Sequence, residues 1–176
     1  RGLRVDQVWI GHPQGHELLL EEARRCGVPV VVHPSIHPGR NDGSLVLHAQ
    51  SPWGSVLFTG DIEAAAEADP HPAATVLKVP HHGSRTSSSD ALLDRVQPVL
   101  AVLPVGPNYY GHPHDEVLDR YARRGIDLVR TDEGTVTVRL DAHGLSVGQA
   151  GVWTRRAITP NTTMAKTAST RLIPWL

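Results

Sequence analysis

The chain has one cysteine, Cys26, among its 176 residues. A single thiol forms no internal disulfide and no cysteine-based zinc site. Its setting, EEARRCGVPV, predicts a buried structural thiol. No apolar run approaches the roughly 20 residues needed to span a bilayer, and no secretory leader pattern is visible. Neither sign of charge dominates, since 17 Lys and Arg stand against 18 Asp and Glu. That balance predicts no general attraction to nucleic acid, while leaving room for a local basic groove. There is no internal repeat. The remaining composition, 40% hydrophobic and 20% charged, is that of a soluble globular domain with a core of its own. The chain starts at Arg1 rather than Met, which leads to the expectation of a fragment or processed product.

Strand-like and helix-like stretches alternate. VDQVWIG (5–11) and VPVVVH (28–33) read as strands on either side of a helix from His16 to Cys26, with Leu18, Leu19 and Ala23 near one face. SLVLHAQ (44–50) and SVLFTG (55–60) read as a hairpin. A short helix is predicted over 62–69, a strand over 74–80, a helix over 89–96, a strand over 98–106 and a helix over 114–125. IDLVRT (126–131) and GTVTVRL (134–140) read as a second hairpin around Asp132 and Glu133. The alternation predicts an α/β fold, and the hairpins argue against a purely parallel sheet. The domain is read as 1–140, with 141–176 an irregular C-terminal tail.

Three polar clusters follow apolar strands directly: Thr59-Gly60-Asp61, His81-His82-Gly83-Ser84, and Gly106 through Gly111-His112-Pro113-His114. Loops at strand ends are where α/β proteins usually place function. An aspartate with several histidines suits a divalent metal bound through oxygen and nitrogen. Ser84, Thr86 and Ser87 offer hydroxyls to an anionic oxygen. Each residue also has a structural reading. Asp61 suits a helix N-cap, Ser87, Ser88 or Ser89 suits the cap of the next helix, and His112 suits an ordinary loop. His81-His82 fits a structural role least well, because buried imidazoles without partners are costly. His12, His16, His33, His37, His48, His71 and His143 read as surface or loop residues.

TGDIE, then LKVPHHGSRTSSS, then PVGPNYYGHP, with NDGSLVL upstream and VRTDEGTVTVRL closing, resembles the metallo-β-lactamase-fold domain of ComEC-type DNA-uptake (competence) proteins. The resemblance covers roughly residues 1–140 and implies an αββα sandwich, present here mainly as its C-terminal half. It implies that Asp61 bridges metal ions and that His81 is the last metal-binding histidine, with His82 as the alternative ligand or a substrate contact. His112 would lie near the substrate phosphate, giving His82 and His112 catalytic roles and Ser84 a substrate-binding one. On an extended backbone the two adjacent rings would point to opposite sides, His81 to the metal and His82 to the substrate groove.

The family's upstream His-x-His-x-Asp-His motif is absent, and GHPQGH (11–16) does not replace it. The expectation is therefore an incomplete site for a divalent ion, zinc or manganese, and weak nuclease activity from this chain alone. The implied function is part of a metal-dependent DNA nuclease. Its partners would be single-stranded DNA and a membrane channel part of the same or an associated polypeptide, placing the parent protein at the bacterial cell membrane. The alternative is a catalytically inactive module that binds or packs within the uptake machinery.

Overall fold

The structure, a computed structural model, describes residues 4–10, 17–27, 30–32 and 41–156. The elements are β1 (Arg4–Ile10), α1 (Glu17–Arg25), β2 (Val30–Val32), β3 (Val46–Ser51), β4 (Gly54–Phe58), α2 (Ala64–Glu67), β5 (Val76–Lys78), α3 (Asp90–Val96), β6 (Leu100–Leu103), α4 (Asp115–Arg123), β7 (Asp127–Arg130), β8 (Val136–Asp141), β9 (Gly144–Gln149) and β10 (Val152–Arg156). Seven strands form one mixed sheet in the order β2-β1-β3-β4-β5-β6-β7, and β10-β9-β8 form a second, antiparallel sheet. The β3–β4 hairpin is antiparallel, whereas β4, β5, β6 and β7 run parallel. No helix among the described residues is long and apolar enough to cross a membrane.

Period-two patterning sends alternate residues of the central strands to opposite faces. Leu57, Leu77, Ala101 and Leu103 go to one face, where Ala66, Leu92, Leu93, Val96, Val117 and Tyr121 of the helices cover them. Val76 and Leu100 go to the other, where Leu145 and Val147 of the small sheet meet them. Helices α2, α3 and α4, the large sheet and the small sheet thus form layers in that order.

Two structural expectations need correction. Residues 126–140 are not a hairpin, since β7 pairs with β6 and β8 pairs with β9 in the other sheet. The cause is non-local. The Thr131 hydroxyl accepts from Val105 N and donates to Val105 O, both at 2.8 Å, holding the end of β7 against the end of β6. A tight turn at Thr131–Glu133 then releases the chain toward the small sheet. Nor is the stretch from residue 141 irregular throughout. Residues 144–156 form β9 and β10 around Ala150 and Gly151, both at positive φ, the conformation of a two-residue hairpin turn. Residues 157–176 lie outside those described.

Four side chains also differ from expectation. Cys26 is exposed just past the end of α1, a helix in which Ala23 is buried; Leu18 is exposed too. His48 and His71 are buried, and His71 Nε2 lies 2.9 Å from Ala66 O. His12, His16, His33 and His37 lie outside the described residues.

Candidate metal-binding edge

The three polar clusters follow the C-terminal ends of β4, β5 and β6, neighbours in the parallel part of the sheet. Hydrogen bonds tie the first two loops together. Thr59 Oγ1 donates to Lys78 O at 2.9 Å, His81 N to Gly60 O at 3.3 Å, and Lys78 Nζ to Gly60 O at 2.5 Å. Gly60 has φ +58, and a Cβ there would sit 2.6 Å from Ser44 Cβ. Its turn therefore needs glycine for both conformation and space.

The N-cap reading of Asp61 does not hold. Asp42 takes that task, accepting from Glu63 N at 2.7 Å and Ala66 N at 3.4 Å. The Asp61 carboxylate is left half-exposed, with Lys78 Nζ 3.3 Å from its Oδ1. Ser89, by contrast, does cap α3, accepting from Leu92 N.

The expectation of an extended backbone through the histidine pair is also overturned. His81 has φ 44 and His82 φ 53, so the chain curls left-handed at both residues. The orientation of the rings is reversed with it. His82, not His81, faces Asp61, with Nε2 3.4 Å from Asp61 Oδ1. His81 Nδ1 is buried, 3.1 Å from Glu63 Oε1, at ion-pair distance but not aligned as a hydrogen bond. The His112 ring lies 5.5 Å from that of His81, centroid to centroid, and 5.5 Å from that of His114. His114 N donates to Gly83 O at 3.0 Å, which docks the third loop on the histidine turn. Gly83 has φ +78, and a Cβ there would meet Pro113 Cβ at 2.7 Å.

Asp61, His81, His82 and His112 therefore share one edge of the sheet. Ser84 does not open onto it: the residue is buried and its hydroxyl lies 2.9 Å from that of Thr86. Ser87 is buried as well and donates to Pro80 O and Ser84 O. These hydroxyls hold the turn in shape.

The edge contains groups that strand and loop patterns did not single out. Lys78, an isolated cation in an otherwise apolar strand, reaches Asp61. Burial lowers its pKa, against the opposing pull of the Asp61 charge. Burial would raise the Glu63 pKa, but hydrogen bonds from Thr86 and Asn41 and the nearby His81 outweigh it and leave the carboxyl below its ordinary value. Burial, then the neighbouring His81, His114 and His82, lowers the pKa of His112. Glu67 is fully buried and accepts from Ser88 N at 2.5 Å and Ser89 N at 2.7 Å, pinning the loop that follows the histidines.

His82 has the arrangement of a metal ligand. Its Nδ1 lies 2.6 Å from Pro104 O, a carbonyl that can only accept. The proton therefore belongs on Nδ1, and in the neutral ring Nε2 is a lone-pair donor. That lone pair and a carboxylate oxygen face each other across 3.4 Å. Two ligands about 2.0–2.1 Å from one tetrahedral ion stand about 3.3 Å apart. The pair thus fits a shared divalent cation. No group of three candidate ligands occurs among the described residues.

The sequence pattern of the Metallo-beta-lactamase superfamily matches residues 15–107. The chain is similar to ComE operon protein 3 of Bacillus subtilis (strain 168), at 38% identity over 107 residues, 57% of this chain and 14% of that protein. Competence protein ComA of Neisseria gonorrhoeae is 37% identical over 99 residues, 52% of this chain and 14% of the relative. Recombination protein 2 of Haemophilus influenzae is 35% identical over 123 residues, 67% of this chain and 16% of the relative. The chain spans a small part of the length of these relatives.

Proposed function

Since this chain belongs to the Metallo-beta-lactamase superfamily, we propose that it forms part of a metal-dependent phosphodiesterase domain, a nuclease acting on single-stranded DNA within a competence-type DNA-internalising protein. The name of the similar Competence protein ComA supports the setting. Its partners are then the DNA strand and a membrane channel part of the same or an associated polypeptide. The observation that carries the chemistry is the facing pair of bases, Asp61 Oδ1 and His82 Nε2, with the His82 tautomer set by Pro104 O.

In this reading Asp61 and His82 hold the divalent ion, zinc or manganese, and His81 takes the substrate side of the pair. Such an ion supplies Lewis acidity and a more acidic water when bound. Lys78 holds the Asp61 carboxylate and the Gly60 carbonyl in place from the sheet side. His112, neutral at neutral pH because its pKa is lowered, accepts or relays a proton near the scissile phosphate. Glu63 orients His81. Ser84 acts by shaping the turn.

A catalytically inactive binding module is the second reading, favoured by the lack of a third candidate ligand at this edge among the described residues. Degradation of labelled single-stranded DNA, by the protein expressed at the full length of its gene, separates the two. The nuclease reading expects cleavage that stops with a chelator and falls at least 100-fold in Asp61→Ala. DNA binding without metal-dependent cleavage supports the second reading and overturns the first.

A further inference from the structure

The loop after β6 carries two side chains that the chemistry above does not use. Tyr109 is fully exposed and Tyr110 is 79% exposed. Large aromatic rings left adjacent in solvent mark an interaction site, the more so when their backbone is held fixed. Here it is held by Asn108. Its Nδ2 donates to Gly106 O at 2.9 Å and His112 O at 2.8 Å, and its Oδ1 accepts from Tyr110 N at 3.1 Å and His112 N at 3.0 Å. One side chain thus closes the whole loop around itself. The loop backbone that carries the rings is set before any ligand arrives, which lowers part of the ordering cost of binding.

The Tyr110 ring also has a definite place relative to the edge. The Tyr110 ring lies 5.7 Å from that of His112, tilted by 32°, and His112 lies 5.5 Å from His81. A row of rings therefore runs from solvent to the Asp61–His82 edge. Arg85, which follows the histidine turn, is exposed and lies 3.6 Å from Glu116. A ligand suited to rings that lead to a candidate cation site has a flat π face at one end of each unit and an anion at the other. An unpaired nucleotide is such a unit, whereas in a duplex the base faces are already stacked on one another.

We propose that Tyr109 and Tyr110 form a stacking platform for unpaired bases of a single DNA strand, holding its phosphodiester at the Asp61–His82 edge. This rests on the reading of the substrate as single-stranded DNA. Stacking is indifferent to base identity, so the platform grips a strand of any sequence.

The test is binding of a short labelled single-stranded oligodeoxynucleotide to this chain, by fluorescence anisotropy with a chelator present so that no cleavage occurs. Tyr109→Ala and Tyr110→Ala should each weaken binding by about 5- to 100-fold, and Tyr110→Phe should bind as the wild type does. An abasic strand of equal length should bind the wild type as weakly as the ordinary strand binds the double alanine variant. A 2-aminopurine base in the strand should be quenched on binding, and the quenching should be lost with the tyrosines. Both rings are exposed, so the variants keep the fold. Equal affinity of wild type and double variant, or of abasic and ordinary strands, overturns the platform. If Asp61-dependent cleavage persists in that case, the platform alone has failed and the rings face some other partner. Absence of any strand binding also overturns the platform, and loss of cleavage beside it takes the nuclease reading as well.

Discussion

The two faces of the large sheet are built from alternate residues of the same strands, yet they are finished differently. On the helix side, Leu57, Leu77 and Ala101 are 0% exposed, sealed by α2, α3 and α4. On the other side the small sheet covers Val76 and Leu100, but a hollow of about 490 Å³ remains. Val56, Phe58, Val102, Val138 and Leu140 line it, together with Lys78 and Pro104. The last two are the residues that reach Asp61 and His82. One face is thus devoted to stability, while the other leads from an incompletely covered apolar surface to the chemical edge.

The largest effect is expected for Leu77→Ala on the sealed face. It should cost about 2–5 kcal/mol of unfolding free energy, because the close-packed site collapses poorly; denaturant melts measure it. Glu67→Ala should cost on the order of 3 kcal/mol, since it strands the buried amides of Ser88 and Ser89. The Glu67 carboxyl also gives a pH signature. Burial raises its pKa, so between the ordinary carboxyl range and its folded value the native state binds more protons than the unfolded state. Its contribution to stability is therefore complete below the ordinary range and declines as pH rises through the folded pKa. Glu67→Gln should remove that slope. A pH series of melts in which wild type and Glu67→Gln run parallel would contradict the assignment.

Gly83→Ala tests the joint between the histidine turn and the Pro113 loop. The positive φ and the 2.7 Å approach to Pro113 should together cost about 2 kcal/mol and shift the His112 and His114 imidazole resonances in NMR spectra. Phe58→Ala, on the open face and 42% exposed, should cost less than about 1 kcal/mol. A Phe58→Ala loss as large as that of Leu77→Ala would mean the two faces are equally sealed.

Legibility in the sequence followed the range of the interactions. Alternating strands and helices, the β3–β4 hairpin and the three loops at strand ends came from local periodicity and turn residues, and the structure brings those loops to one edge. The sheet switch after β7 was hidden because it depends on Thr131 meeting Val105, 26 positions away. The helix cap supplied by Asp42 rather than Asp61 is likewise a contact between distant segments. His48 and His71 looked like loop histidines because burial by neighbouring strands and helices leaves no local trace. The β9–β10 hairpin did leave one, the Leu145-Ser146-Val147 alternation followed by the two-residue Ala150-Gly151 turn. The histidine pair was read with the wrong backbone: Gly83 hinted at a tight turn, but the left-handed curl of His81 and His82 is imposed by the loops packed around it.

In the proposed function Asp61 and His82 hold a divalent cation while His81 serves the substrate side. Calorimetric titration of zinc, and separately of manganese, into the chain and its variants tests this without recourse to activity. Asp61→Ala and His82→Ala should each weaken the tighter-binding metal by at least tenfold, and His81→Ala should leave its affinity within about threefold of wild type. Unchanged binding in Asp61→Ala and His82→Ala, or loss in His81→Ala with retention in His82→Ala, would contradict the claim.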